Sequence, residues 1–464
     1  MSIQQPALLT SRQAPDIVTP ITEARRLKQI TRAALTLSIP SSIMDIKDHL
    51  LRHSLLLMAA SQVSNAANLL FHMVMGRWLL PAEYGILASM LGVVLIIGMP
   101  LTAVSNSVAF FSAQLIQQKR AGDIFTLMRA WAWKLLLIAI PVLVAGILFS
   151  RPLAHFFQLP DRSAIILTLA ILALSFSTPV IGGVLQGIQA FGWASFSGIS
   201  WGIVRLAVGG ALVYFIGAAA HWALAGQGLG VIVSAAVGMA GLWIILRGAS
   251  PSDQPLPGNH AYLLSTLVVL ACFAFLMNAD VLIVKHYFSP DQSGLFARAG
   301  TIGRTIIFLP MPIAMALFPK SVSQGTMSVR HGQLLRRALG YTGLVIMPAA
   351  LVCTVFPQLP LGILYHDWHP DADMVRLLRC IIWALFPLSI AYLVINFELA
   401  QNRFRGLLPL LACVAVYLIG VSVWHATVFQ VVAVLATVNI LTLLILLKEL
   451  LWRTPFVASQ PEPL

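Results

Sequence analysis

Seven ionisable side chains stand inside or at the ends of long apolar runs, where a charge is costly and marks a candidate functional site. Arg205, Asp280, Arg298 and Arg304 fall mid-run, Glu398 lies near the end of another run, and Arg77 and Lys285 sit near the ends of two more. On a helix, Arg298, Thr301 and Arg304 fall within a sector of about 120°, so both guanidiniums can face one cavity. An arginine fork grips phosphate through two parallel hydrogen bonds and never loses its charge, which suits capture of a diphosphate. The expected chemistry is therefore binding of an anion, with Arg298, Arg304, Arg205, Arg77 and Lys285 as the substrate-binding candidates. A second reading sends Arg298 to the membrane surface and pairs Arg304 with Asp280 on a neighbouring helix, as scaffolding. Asp280 and Glu398 are the candidates for ion coupling. A desolvated carboxyl favours its neutral form and can carry a proton, although an arginine beside Asp280 opposes this. Glu398 also reads as an interfacial residue near Arg403 and Arg405.

Other constellations carry less. The stretch His366-Asp-Trp-His369-Pro-Asp-Ala-Asp373 holds metal-ligating types, but an acidic loop outside the membrane explains it as well, and no metal is expected. Cys272, Cys353, Cys380 and Cys413 all lie in or beside apolar runs without metal spacing, and read as small buried hydrophobes. The sequence has no P-loop, no GxSxG and no HExxH, which argues against ATP-driven transport and against a motif-defined hydrolase. No enzyme activity and no cofactor are expected.

The elements that must position these side chains are membrane helices. Hydrophobic residues make up 59% of the 464 and charged residues only 10%, and the mean hydropathy is +0.87, too apolar for a water-facing surface. Spanning β-strands alternate polar and apolar residues, whereas these runs are apolar on all sides. Candidate spans lie near 54–79, 84–111, 131–149, 164–187, 194–216 and 222–246, and again near 261–287, 293–318, 338–356, 374–398, 406–423 and 427–450. The net charge of +13 sits mainly in short loops and tails, so it reports membrane topology and no nucleic-acid partner. With both termini cytoplasmic, the inner loops collect Lys119, Arg120, Arg247, Arg336 and Arg337, while the outer ones hold few basic residues. Residues 1–52 read as a basic cytoplasmic tail, in which Ile21 to Ser38 is a candidate surface helix. The Pro-rich stretch 248–260 reads as a cytoplasmic linker between an N-lobe (53–247) and a C-lobe (261–452), followed by a cytoplasmic tail at 453–464.

The two lobes look like repeats. The Pro and Gly of Arg77-Trp-Leu-Leu-Pro-Ala-Glu-Tyr-Gly85 recur in His286-Tyr-Phe-Ser-Pro-Asp-Gln-Ser-Gly294, displaced by 209 residues. Pro100 matches Pro310, Pro141 matches Pro348, Pro179 matches Pro387, and Gln186-Gly-Ile-Gln189 matches Glu398-Leu-Ala-Gln401 at nearly the same offset. The fold expected is an all-α polytopic membrane protein of about 12 helices. Two pseudo-symmetric six-helix lobes enclosing a central site are a common transporter plan.

These residues also carry a family resemblance. The turn Gly76 to Gly85, the Gln-rich end Gln114 to Gln118, and the stretch Asn278 to Gly300 continuing to Phe318-Pro-Lys320 resemble the polysaccharide biosynthesis and oligosaccharide flippase family (Wzx-like). With the two-lobed pattern, the resemblance covers roughly Leu55 to Trp452. It implies the multidrug/oligosaccharidyl-lipid/polysaccharide exporter fold, two lobes around a V-shaped cavity. It further implies a bacterial inner-membrane flippase that moves a polyprenyl-diphosphate-linked oligosaccharide outward by alternating access, driven by an ion gradient. Membrane lipids and a polysaccharide polymerase or other biosynthetic membrane proteins are the partners this implies. A peptidoglycan-precursor flippase and a multidrug exporter of the same superfamily are the nearest alternatives, and a membrane-embedded polymerase or ligase is the alternative of another class.

Overall fold

Among the described residues each apolar run is helical, because in hydrocarbon every backbone N–H and C=O must find its partner within its own segment. The computed structural model describes residues 49–249, 252, 255–256, 261–310, 329–400 and 407–451. The candidate helix Ile21 to Ser38, most of the linker, the C-terminal tail and Phe318 to Lys320 lie outside them. Among the described residues there are sixteen helices and no strand. The first half holds α1 (His49–Trp78), α2 (Pro81–Gly98), α3 (Thr102–Gln117), α4 (Asp123–Leu148), α5 (Ser150–Phe156), α6 (Ser163–Ser175), α7 (Thr178–Gly187), α8 (Phe191–Phe215) and α9 (Ala220–Leu246). The second half holds α10 (Ala261–Tyr287), α11 (Pro290–Phe308), α12 (Val329–Val355), α13 (Gln358–Tyr365), α14 (Ala372–Ala400), α15 (Leu407–Val423) and α16 (Val428–Leu451).

Nine described segments are long and apolar enough to cross a membrane, and the chain is a multi-pass membrane protein. The three other expected spans coincide with α1, with α15, which is apolar but only 17 residues long, and with α11, which carries Asp291, Arg298 and Arg304. Leu137, Leu148, Phe215 and Leu344 are exposed, as side chains facing lipid are.

The repeat extends to local geometry. Pro81 and Pro290, 209 residues apart, each open a helix just after its N-cap. The N-caps Leu80 and Ser289 share nearly the same angles, φ −59°, ψ 154° and φ −59°, ψ 156°. Pro141 and Pro348 lie inside α4 and α12, and each of those helices is followed by a short one, α5 or α13. These two short helices stand where the sequence reading has only loops. The second span is broken at Pro100, where Leu101, Thr102 and Ala103 donate to carbonyls three residues back. The fourth differs between the halves: it breaks at Phe176 and Ser177, ahead of Pro179, whereas Pro387 stays inside α14. At the break the hydroxyls of Ser175, Ser177 and Thr178 take carbonyls within the turn, at 2.7–2.8 Å.

The largest core cluster draws on both halves, through Leu87 of α2, Met277 of α10, Phe296 of α11 and Leu385 of α14. A smaller one lies between α3, α4, α7 and α9, around Phe111, Leu127, Val184 and Leu242. Helices α8 and α9 meet at Gly209 and Gly226, so closely that a methyl group on Gly226 would strike the Gly209 backbone. From Ser54 onward the described helices form one compact unit, with α2 of the first half packed on α10 and α11 of the second.

Candidate functional site

The halves approach closely where α2 crosses α11. A Cβ on Gly85 would lie 3.0 Å from the backbone nitrogen of Gly294, and one on Gly294 would strike the Pro81 carbonyl. The two glycines that mark the repeat therefore touch each other.

Around this crossing, each half caps helix ends of the other. The last carbonyls of a helix lack partners within it and attract positive groups. Arg298 of α11 donates to Gly76 O at 3.0 Å and Leu79 O at 3.2 Å, at the end of α1. Arg77 of α1 donates to Leu364 O at 3.3 Å and to Ile363 O, at the end of α13. His286, which matches Arg77 in the repeat, donates from Nδ1 to Phe156 O at 2.7 Å, at the end of α5, and stacks on the Phe156 ring. Gln158 returns a bond to His286 O at 2.6 Å. Helices α5 and α13, absent from the sequence reading, are thus the parts that receive the clasp.

Inside the clasp a hydroxyl network joins the halves. Tyr84 of α2 donates to Thr301 of α11 at 3.0 Å and lies 3.3 Å from the hydroxyl of Tyr365, which donates to Arg298 O at 3.1 Å. Tyr84 and Tyr365 are both buried. The Arg298 guanidinium stands 5.4 Å over the Tyr365 ring.

The guanidiniums of Arg298 and Arg304 leave α11 for different partners. Arg304 turns back over Gly300, where a side chain would collide with it, and donates to Met277 O at 3.0 Å and to the Asp280 carboxylate. Asp280 is fully buried, and its second oxygen has no hydrogen-bond partner. The structure thus contains the Arg304–Asp280 pair of the scaffolding reading.

Arg205 is placed differently. It is buried among α1 and α8, donating to Asn68 Oδ1 at 2.5 Å, with its guanidinium 3.9 Å over the Phe71 ring and 5.3 Å over Trp201. Its Nε is buried without a partner, and among the described residues no carboxylate pairs with it. Lys285 is buried near the end of α10, and the acidic group whose field reaches it is Glu83 of α2. Glu83 is also held by the Ala220 backbone N–H at 2.7 Å. Glu398 lies half-buried near the end of α14. The seam thus gathers Arg77 and Arg298, the second half holds Arg304 with Asp280, and Arg205 stands alone in the first half.

Sequence reasoning passes over Tyr84, Tyr365, Gln158 and His286, whose roles come from the partners they meet across the seam. The 209-residue repeat signals His286, since it puts that residue at the place of Arg77. Cys272 and Cys413 are buried, Cys353 and Cys380 half-buried, and all four are free. Among the described residues no group of three or more His, Cys, Asp or Glu is placed to hold a metal ion.

No family model matches the sequence, and no curated protein does. Solved structures do match. An inward-facing multidrug resistance MATE family transporter of the MOP superfamily superposes with a TM-score of 0.66 at 11% identity, over 87% of this chain and 99% of that one. The lipid II flippase MurJ, in an inward closed conformation, gives 0.62 at 13% identity, over 85% and 87%. A MOP superfamily transporter from Pyrococcus furiosus, described by the reverse polarity of its binding pocket, gives 0.57 at 12%, over 87% and 94%. The chain has the twelve-helix, two-lobed fold of the MOP superfamily transporters.

Proposed function

We propose that the protein is a flippase that carries an anionic polyprenyl-diphosphate-linked oligosaccharide across the bacterial inner membrane by alternating access, for surface polysaccharide synthesis. Arg205 carries this reading. A buried cation costs several kcal/mol unless an anion offsets it, and Arg205 has only one amide oxygen and two aromatic faces. A diphosphate beside it supplies the missing counter-charge. Arg304 is already matched by Asp280, and Arg298 and Arg77 are turned to helix-end carbonyls, which leaves Arg205, of these four, as the one without a partner for its charge. The lobes are those of residues 53–247 and 261–452, and both termini face the cytoplasm.

The likeness to a MATE transporter favours a second reading, export of a cationic drug. A cationic cargo needs a free carboxylate in the lumen. Asp280 is tied to Arg304, which weighs against it.

Deleting the gene in its host and locating polyprenyl-diphosphate glycans by leaflet tests the reading. The expected result is accumulation on the cytoplasmic side with loss of the surface polymer, restored by wild type and not by Arg205→Ala. Unchanged glycans with altered efflux of cationic dyes would move the protein to the drug exporters.

A further inference from the structure

The Pro-rich stretch after α9 is gripped by a turn that none of these roles uses. Helix α3 ends at Lys119 in a left-handed conformation, φ 59°, and the Arg120 N–H bonds back to Leu115 O at 2.8 Å. The turn brings Arg120 beside Asp123, the first residue of α4, and Arg120 Nε donates to Asp123 Oδ2 at 2.6 Å. A carboxylate in the first turn of a helix is favoured by the helix dipole. Here both of its oxygens also take up a residue far along the chain. Oδ1 accepts from the Ser252 N–H at 2.6 Å, and Oδ2 from the Ser252 hydroxyl at 2.5 Å. Arg120 further donates to Ser252 Oγ at 3.1 Å and to Pro255 O at 3.4 Å. Asp123 is buried, whereas Ser252 and Pro255 are exposed. Leu256 is half-buried and packs against the core cluster of α3, α4, α7 and α9.

This grip changes where the two halves are joined. It takes a backbone N–H, a hydroxyl and a backbone C=O of the linker, through charged partners that make stronger hydrogen bonds than neutral ones. With Ser252, Pro255 and Leu256 seated on the first half, only residues 257–260 separate the seat from Ala261, where α10 begins. A chain from Leu256 to Ala261 spans at most about 18 Å, and one from Arg247 to Ala261 at most about 50 Å. Seated, the joint is short; unseated, it is long. Leu263, in the first turn of α10, packs against the same first-half cluster as Leu256, so this structure holds the short joint.

We propose that the Arg120–Asp123 turn is a releasable seat for the linker, and that it limits how far the start of α10 swings away from the first half. This rests on the motion of the halves in the reading above and is independent of the cargo. The bonds are polar, and Ser252 and Pro255 are exposed, so water can replace them when α10 is pulled away. Seating therefore resists separation at the linker end of the bundle, and release permits it. The seat and the His286 clasp hold opposite ends of the same helix, α10, to the first half.

The test measures distances across the joint by double electron–electron resonance in the full-length protein, with its four native cysteines replaced by alanine. Spin labels are placed at Ile244→Cys, near the end of α9, and Leu264→Cys, near the start of α10, both exposed positions. Two substitutions empty the seat: Asp123→Ala removes the carboxylate, and Ser252→Pro removes both the N–H and the hydroxyl at an exposed position, where the fold has little to lose. Each is expected to add a population more than about 10 Å longer than any without the substitution, within the extra reach of the freed chain. In Asp123→Ala the Ser252 amide should also exchange its hydrogen faster. Faster exchange with unchanged distances means the seat empties without lengthening the joint, and overturns the proposal. Unchanged exchange and unchanged distances overturn it as well, because the turn then does not hold the linker. Neither outcome touches the flippase reading, which the leaflet assay decides.

Discussion

Phe71 on α1 and Asp280 on α10 stand 209 residues apart, at matching places in the two halves, and each meets a guanidinium. In the first half Arg205 reaches Phe71 from α8 and stands over its ring. In the second, Arg304 reaches Asp280 from α11 and bonds its carboxylate. The positions matching those arginines, by offsets of 208 and 209 residues, are Cys413 and Leu95, so neither cation is part of the repeat. The scaffold is shared while the charge is placed separately in each half. An aromatic face supports a cation without cancelling its field, whereas a carboxylate cancels it and locks two helices together.

Removing the carboxylate is the strongest way to break this contrast. Asp280→Ala strands a buried guanidinium and should cost about 3–5 kcal/mol. It is read as a fall in the thermal unfolding midpoint, and the double change Asp280→Leu with Arg304→Met should recover most of it. In the first half the order of effects inverts. Arg205→Met removes an unpaired charge and should leave stability near wild type, yet weaken farnesyl diphosphate binding by roughly 10- to 100-fold, the scale of a hydrogen bond to a charged group. A variant that unfolds while binding is unchanged would put Arg205 with the scaffold.

The matched glycines sharpen the comparison at a smaller scale. Gly294→Ala pushes a methyl group into the Pro81 carbonyl and should destabilise by about 1–3 kcal/mol, whereas Gly85→Ala meets Gly294 and the Ser293 hydroxyl at 3.0–3.2 Å and should cost less. Equal unfolding midpoints for the two variants would mean that the crossing relaxes freely. The smallest effects belong to the clasp. Arg77→Ala and His286→Ala should each remove about 0.5–1.5 kcal/mol. Amide hydrogen exchange should then quicken in α13 for the first and in α5 for the second, leaving the other helix as it was.

Much of the fold is legible in the sequence, because a spanning helix needs only length and apolarity, and the prolines keep their register. What escapes is short or long-range. Helices α5 and α13 have seven and eight residues, too few for a periodic signal, and are closed by Gln158 and His366 in left-handed conformations. The helical pitch places Arg298 and Arg304 on one sector, and their rise along α11 lets one reach the end of α1 while the other folds back to Asp280. No spacing rule foretells that choice, since both partners come from other helices.

The touching glycines also have a mechanical consequence. Contacts made by side chains must unlock and repack when helices turn against each other, and each locked rotamer adds friction. At Gly85 and Gly294 backbone meets backbone, with the small Ser293 hydroxyl as the side chain beside them. The crossing of α2 and α11 can act as a fulcrum, on which one half tilts against the other about a fixed point. The α2 arm from Gly85 to Gly98 is roughly 20 Å long at the helical rise of 1.5 Å per residue, so a tilt of about 10° there moves its far end by about 3 Å.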